Sequence, residues 1–189
     1  MITALRKALV RLPTSVVAYD IETSGLIPEY DQVLQVAALR TDQQFSVPVD
    51  ETSTLELRAR RQPWVVPSPT AMVVTRIDPD MLSIGLFHHE LIAQTQKFFL
   101  ETPSLFLTDN GIKFDERFMR TAFFRSLCRP YVTQTNGAMR ADLMIIAQAI
   151  SVLDPSAITV PISDKGRPTF RLGMMCRTCD ANSDEWLGS

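Results

Sequence analysis

The chain has 189 residues, of which 46% are hydrophobic and 21% charged, as in an ordinary soluble domain that can bury a sizeable core. A formal net charge of −2 excludes a general attraction to nucleic acid, so any such binding must use local basic patches. Three cysteines and no recognisable signal peptide argue against a disulfide framework, and we expect a cytoplasmic monomer with no membrane association.

The first predicted element is a short amphipathic helix that stops before Pro13. Its apolar stripe consists of Ile2, Leu5, Leu9 and Leu12. The run is too short and too charged for a signal peptide or a membrane span. We therefore predict an N-terminal helical extension over residues 1–15 and one domain over residues 16–189.

The most informative stretch follows directly. Residues 16–19 predict a buried strand, which runs on into Asp20 and Glu22. Because side chains alternate across a strand, these two carboxylates point to the same face. Their like charges repel each other unless a cation neutralises them, and their oxygens suit Mg²⁺ or Mn²⁺. A lone Asp-x-Glu is a weak signal, but here it is followed by a turn over residues 23–26.

Further strands are expected before any long helix. A second, mostly buried strand is predicted over residues 32–40, with weaker strand candidates over residues 45–49 and 54–60. Together with the first strand, they predict two antiparallel hairpins. Residues 64–69, with prolines in and beside them, should be irregular.

The rest of the chain is predicted to be mainly helical. Asp78, Asp142 and Thr169 each suit the N-cap of a helix. The helices cover residues 86–100, 115–127, 143–153 and 170–178, and a buried strand covers residues 104–108. In the helix over residues 115–127, the core positions are Phe118, Met119, Ala122, Phe123 and Leu127. Strands first and helices later indicate a mixed α/β sheet.

A second candidate site lies at residues 110–115. A strand end and a turn lead to Asp115 in the first turn of a helix, where the helix dipole favours a negative charge. Taken alone, Asp115 could simply cap its helix. Taken with Asp20 and Glu22, it indicates a third carboxylate aimed over the same sheet.

These motifs together resemble the DEDD 3′→5′ exonucleases, and most closely their exonuclease I branch. The shared segments keep the same order and similar separations: Asp20 to Leu26, Asp31 to Leu39, Ala71-x-x-x-Thr75-x-Ile77, Asn110 to Asp115, Ala141 to Met144 and Pro168 to Leu172. The resemblance runs over about residues 16–177 and implies an α/β fold, an RNase H-like mixed sheet flanked by helices.

The resemblance also implies an activity and a cofactor. Members of this branch hydrolyse DNA, chiefly single-stranded, from its 3′ end and release nucleotide 5′-monophosphates, whereas the related oligoribonucleases act on RNA. By this likeness Asp20, Glu22 and Asp115 are the catalytic residues and ligate two Mg²⁺ or Mn²⁺ ions, with Asp20 between them. Asp142 matches a family aspartate that serves structure.

Substrate contacts are implied in the same way, residue by residue. The turn that would cradle the terminal nucleotide consists of Thr23, Ser24, Gly25 and Leu26. Within the second motif, Asn110, Lys113 and Phe114 are implied to bind substrate, with Lys113 as a phosphate contact. The implied partner is therefore the 3′ end of single-stranded DNA.

The sequence departs from the family at its last motif. A His-x-x-x-x-Asp pattern is expected after the final helix, but the two histidines are His88 and His89, which we interpret as solvated helix residues. Without that motif a histidine base and a fourth carboxylate are missing, each a loss of orders of magnitude in rate. Asp180, Asp184 or Glu185 could substitute as a ligand. We expect a C-terminally truncated, impaired exonuclease domain; the alternative is an inactive module that binds nucleic acid or protein.

Two weaker features stay open. Cys176-x-x-Cys179 has the spacing of a zinc pair, but without a second pair we expect two reduced thiols. Four arginines on the helix after Asp115 either contact phosphates or form a solvated face. They are Arg117, Arg120, Arg125 and Arg129.

Overall fold

A computed structural model of the chain describes residues 12–47 and 51–178. Most of the predicted N-terminal helix, the end of the strand candidate over residues 45–49, Cys179 and the predicted substitute ligands lie outside these ranges. Within the ranges, none of the helices combines the length and the apolar character that crossing a bilayer requires.

Among residues 12–47 and 51–178, five strands form one mixed sheet in the order β3-β2-β1-β4-β5. They are β1 (Ser15–Thr23), β2 (Val33–Asp42), β3 (Thr54–Arg58), β4 (Ser104–Thr108) and β5 (Met139–Asp142). The first three strands pair antiparallel, which confirms the predicted hairpins, and β4 and β5 add parallel neighbours. This topology confirms the predicted RNase H-like α/β sheet.

In the described ranges, five α-helices flank the sheet and three short 3₁₀ turns connect elements. The helices are α1 (Pro69–Thr75), α2 (His88–Leu100), α3 (Asp115–Arg125), α4 (Leu143–Leu153) and α5 (Leu172–Thr178). The 3₁₀ turns are Glu51–Ser53, Pro79–Ser83 and Val132–Gln134. Asp142 caps α4 as predicted, because its carboxylate accepts the backbone N–H groups of Met144 and Ile145.

The core lies on one face of the sheet. Val17, Tyr19 and Ile21 alternate onto this face of β1 and are buried, whereas Ala18 and Asp20 on the other face are exposed. Against the buried face pack aromatic side chains from α2, β4 and α3, namely Phe99, Phe106, Phe118 and Phe123. The alternation therefore places the two carboxylates of β1 on the opposite side from the core, as the sequence predicts.

A buried polar network crosses this core beside the site. The Tyr19 hydroxyl donates to Glu116 Oε1 at 2.8 Å, and the Thr133 hydroxyl donates to Glu116 Oε2 at 2.9 Å. Arg140 Nη1 donates to the same Oε2 at 3.2 Å. Glu116 thus connects β1, α3, the third 3₁₀ turn and β5.

One buried side chain joins the end of β3 to the rest of the sheet. Gln32 is almost fully buried; its Nε2 donates to the Arg60 carbonyl and its Oε1 accepts the Gln62 N–H, both at 2.9 Å. The side-chain amide therefore makes the two hydrogen bonds that a neighbouring peptide group would make.

Some predictions of local structure are wrong. Phe45 has φ 60° and closes a turn onto Asp42, so residues 45–47 do not begin a strand. Leu127, predicted to be in the core, is 97% exposed with φ 56°, because α3 ends at Arg125 and the chain turns away. Asp78 caps a 3₁₀ turn rather than an α-helix.

Other differences concern element boundaries. Helix α1 includes the end of the segment predicted to be irregular, since Pro69 occupies its first turn, where a missing N–H costs nothing. Strand β5 was not anticipated, because its four residues are too few to show a period. Helix α5 begins at Leu172, two residues after the predicted start, although the Thr169 hydroxyl does accept the Arg171 N–H.

Candidate active site

Asp20 and Glu22 lie in the part of β1 that extends beyond its pairing with the parallel strand β4. Pairing of β1 with β4 ends at Ala18, whereas pairing with β2 continues to Thr23. The carboxyl ends of β1 and β4 therefore separate at Asp20, which is where open α/β sheets form binding crevices. Both carboxylates line an open groove of about 900 Å³.

The groove has a floor and one distinct wall. Its floor is formed by β1, β2 and the end of β3, and its wall by the end of α1 and the 3₁₀ turn Pro79–Ser83. The charged lining residues are Asp20, Glu22, Glu56, Arg58, Arg76 and Asp78. A groove of this length with acids on its floor can take an extended ligand that brings cations with it.

Asp115 is brought to the same site from α3. It is the first residue of that helix and only 5% exposed. Burial and then the negative charge of Asp20 raise the pKa of Asp115 to about 7, while the Ile21 N–H partly offsets this rise. The charge of Asp20 also raises the pKa of Glu22, after the effect of burial. The charge of Asp20 thus opposes ionisation of both other predicted carboxylates.

A glycine allows Asp115 to turn back over the sheet. A Cβ on Gly111 would lie 2.3 Å from Asp115 Oδ2 and 2.5 Å from Thr108 Cβ. No other residue type fits without moving this carboxylate. Next to it, the Thr108 hydroxyl is buried and finds no hydrogen-bond partner among the described residues.

Asp109 is a site residue that the sequence interpretation missed. Its side chain is half-buried, and its pKa is raised by burial, then by the charges of Asp142 and Asp20, while a hydrogen bond from the Leu172 N–H lowers it. It therefore lies near Asp20 and connects β4 with the start of α5. Its position at the carboxyl end of the buried strand predicted over residues 104–108 was the available signal.

The donor set suits a divalent cation. Asp20, Glu22 and Asp115 offer hard carboxylate oxygens, and no described residue forms an ion pair with any of them. In the described ranges, no three Asp, Glu, His or Cys side chains are grouped closely enough to hold one ion between them. Mg²⁺, however, is usually held by one or two carboxylates together with water and substrate phosphate, so these residues fit it.

The turn after β1 is built around Asp31. The Ser24 hydroxyl donates to Asp31 Oδ1 at 3.0 Å, and a Cβ on Gly25 would lie only 2.4 Å from Asp31 Oδ2. Thr23 and Ser24 are both buried, and the Thr23 hydroxyl donates to the Gly25 carbonyl at 2.6 Å. Of the four predicted nucleotide-cradling residues, Leu26 presents its side chain outward, at 79% exposure.

The second motif divides between structure and surface. The Asn110 N–H donates to Asp142 Oδ1 at 3.0 Å, with Asn110 in the left-handed conformation at φ 57°. The Phe114 ring packs 4.8 Å from that of Phe118. Lys113, which lies between Asn110 and Phe114 in the sequence, is exposed. Contact of these residues with a substrate stays a prediction, and Lys113 has the most freedom to make one.

The histidines lie elsewhere, on α2. His89 is exposed as predicted, but His88 is not a solvated residue: its Nε2 is buried and has no hydrogen-bond partner in the described ranges. Burial and then the charge of Arg125 lower the pKa of His88 to about 4. It lines a small cavity with Asp31 and Phe118, whereas the residues lining the groove include neither histidine.

The arginines of α3 mostly contact the protein itself. Arg117 pairs with Glu29 at 3.5 Å, Arg125 donates to the Glu29 carbonyl at 3.4 Å, and the Arg120 guanidinium lies 5.8 Å from the Tyr131 ring centre. These contacts favour the solvated-face interpretation. Cys176 is a half-buried free thiol.

Comparison with known proteins places this geometry among nucleases. The family model RNase_T, described as Exonuclease, matches residues 17–152. Exodeoxyribonuclease I of Haemophilus influenzae is 31% identical over 169 residues, which cover 88% of this chain and 34% of that protein. Exodeoxyribonuclease I of Escherichia coli is 30% identical over 156 residues, 82% of this chain and 32% of its own length.

A solved structure agrees with the sequence comparison. The crystal structure of Escherichia coli exonuclease I in complex with a dT13 oligonucleotide superposes with a TM-score of 0.79 at 28% identity. The superposition covers 87% of this chain and 35% of that one. The chain therefore spans about a third of the length of the curated relatives it matches.

Proposed function

The chain belongs to this exonuclease family, and we propose that its groove hydrolyses single-stranded DNA from the 3′ end, releasing nucleotide 5′-monophosphates. Support comes from the exodeoxyribonucleases to which it is similar and from the oligonucleotide bound to one of them. The chain covers about a third of those proteins. The substrate and the direction of hydrolysis are therefore proposals for this domain alone.

The observation that carries the proposal is the trio Asp20, Glu22 and Asp115. Asp20 and Glu22 line the groove, and the charge of Asp20 raises the pKa of both Glu22 and Asp115, in addition to the rise that partial loss of solvation causes in each of the three. Such repulsion destabilises the folded state unless a ligand relieves it. A polyanion that arrives with divalent cations would do so.

These residues would hold the metal. Exonucleases of this family use divalent metal ions, and here Asp20, Glu22 and Asp115 would hold two Mg²⁺ or Mn²⁺ ions. When bound, the ions activate water and offset the charge that develops on the phosphate. The chain itself supplies the partly desolvated carboxylates and the groove whose floor is formed by β1, β2 and the end of β3.

The remaining predicted contacts position the strand. Leu26, held by a rigid turn, would pack on the terminal nucleotide, and Thr23 to Gly25 would maintain that turn. Lys113 would contact a phosphate, while Asn110 and Phe114 would hold the loop that carries it. We propose that residues 16–189 act as a monomeric domain, and that free thiols such as Cys128 suit a reducing cytoplasm.

We expect the reaction to be slow. The 189 residues contain no His-x-x-x-x-Asp pattern, and the partly buried His88 lies in a separate small cavity, away from the groove. General-base catalysis typically contributes about 10²–10⁴-fold in rate, so its loss leaves weak turnover. This same observation favours the second candidate function, a module that binds nucleic acid or protein without hydrolysis.

The test is degradation of 5′-labelled single-stranded DNA with Mg²⁺ or Mn²⁺. We expect products that shorten from the 3′ end with the intact chain and none with Asp20→Asn. The matched control is Asp164→Asn, which removes an exposed acid outside the groove and should leave the products unchanged. Equal degradation by the intact chain and Asp20→Asn would disprove the proposal. Binding without degradation would establish the second candidate instead.

A further inference from the structure

We infer that Arg76 binds a phosphate of the nucleic-acid strand on the wall of the groove that contains Asp20 and Glu22. The nature of the ligand rests on the proposed function. The role of this side chain rests on its backbone conformation and on the charges around it, and on no resemblance.

Arg76 occupies a backbone position that favours glycine. It follows the last residue of α1 with φ 55° and ψ 21°, the left-handed conformation that ends many helices. Side chains other than glycine are strained there, and such strain concentrates at binding and catalytic sites. The conformation carries the base of a long cationic side chain onto the groove wall.

Among the charged residues that line the groove, none forms an ion pair with Arg76. Arg58, the other cation of the lining, pairs with Glu56 at 3.5 Å. The carboxylate of Asp78 accepts the Asp80 N–H. No described residue forms an ion pair or a side-chain hydrogen bond with Arg76, so its guanidinium donors are free for a ligand.

A free guanidinium on the groove wall offsets the repulsion between the acidic floor of the groove and a nucleic-acid strand. Asp20 and Glu22 repel a phosphodiester strand, and the chain as a whole carries a net charge of −2. A guanidinium offers a planar set of donors that matches two phosphate oxygens at once. Arg76 would therefore hold a strand that lies in the same groove as the two carboxylates.

The experiment separates charge from backbone strain. Binding of a 5′-fluorescent oligothymidylate is measured by anisotropy in Ca²⁺, with the oligonucleotide checked by gel for integrity, across a salt series. Arg76→Gly should weaken binding about tenfold, since hydrogen bonds to charged groups are among the stronger ones. It should also lower the salt slope by about 0.7, the share of one phosphate contact on a single strand.

Two controls isolate the effect. Arg76→Gly should also raise Tm by about 2–4 °C, because the left-handed strain is relieved. Leu127→Gly relieves the same conformation at an exposed site and should raise Tm without changing the affinity. Arg167→Gln removes an exposed cation outside the groove and should leave the salt slope unchanged.

The outcomes distinguish this inference from the proposed function. Unchanged affinity and slope in Arg76→Gly, or no binding by the intact chain, would overturn the role of Arg76 even if hydrolysis occurs. Weaker binding with a lower slope would support it even if no hydrolysis is found. A rise in Tm alone would show that Arg76 is merely strained, which would also overturn the inference.

Discussion

The two faces of β1 show how one strand serves two purposes. On one face, Val17, Tyr19 and Ile21 are sealed by aromatic side chains from α2, β4 and α3. On the other face, Ala18 and Asp20 are exposed, and helix α4 nearby has no buried residue. Stability is thus concentrated on the first face, while the second face holds charges that oppose folding. The site could change its side chains with little effect on the core.

The largest expected effect tests whether the sealed face carries the stability. Phe99→Ala removes a fully buried ring that contacts Tyr19, Phe106 and Phe123, and should cost about 3–5 kcal/mol of unfolding free energy. Urea unfolding measures this loss. Phe124→Ala, the matched exposed phenylalanine, should cost less than about 0.5 kcal/mol. Similar losses in the two variants would break the comparison.

The second effect tests whether the open face opposes folding. Because the folded pKa of Asp115 is raised from 3.8 to about 7, the folded state binds the extra proton between these values. Stability should therefore fall as pH rises from about 4 to 7, by up to about 4 kcal/mol, and stay low above that range.

Urea unfolding in EDTA at several pH values measures this decline. Asp115→Asn should flatten the pH profile. The variant should therefore have a higher free energy of unfolding than the intact chain at pH 8, but not at pH 4. The matched control, Asp164→Asn, should keep the decline. A profile that falls equally in both variants would show that another group titrates.

The third effect concerns the polar network within the sealed face. Glu116→Ala leaves the hydroxyls of Tyr19 and Thr133 without their acceptor and should cost about 1–3 kcal/mol. Glu29→Ala, which breaks an exposed pair with Arg117, should cost less than about 1 kcal/mol in the same unfolding assay. If the exposed pair proved as costly as the buried one, burial would not be the deciding factor.

The smallest effect tests whether the exposed face of helix α4 contributes to stability. Val152 on α4 is 78% exposed, so Val152→Lys should change the unfolding free energy by less than about 0.5 kcal/mol. Val17→Lys, on the sealed face, should prevent folding, as circular dichroism would show. A large loss in Val152→Lys would mean that this face of α4 is covered in solution.

Sequence reasoning succeeded where a local rule decides the outcome. Alternation along β1 fixed the common face of Asp20 and Glu22, and N-cap preference fixed the role of Asp142. The association of Asp115 with the first two carboxylates followed from its place in the first turn of a helix, directly after a strand end and a turn. These features depend on a few neighbouring residues, so a single sequence reveals them.

It failed where distant packing decides. Nothing local marks Phe45 and Leu127 as left-handed, since both are apolar residues next to predicted elements. The burial of His88 depends on α3 and the loop after β1, which its own sequence neighbourhood cannot show. Asp109 was passed over because its link to Asp20 exists only once β4 lies beside β1.

The Gln32 side chain connects the start of β2 to the segment that follows β3. Its side-chain amide holds the Arg60 carbonyl and the Gln62 N–H, although neither residue belongs to a strand. In hydrogen–deuterium exchange, the Gln62 amide should therefore resist exchange like a strand amide, well beyond the end of the regular sheet. The Arg60 and Arg61 N–H groups also donate to the carbonyls of Leu86 and Leu82, so the Gln62 amide should exchange only when this whole segment opens and not when Gln32 alone is released.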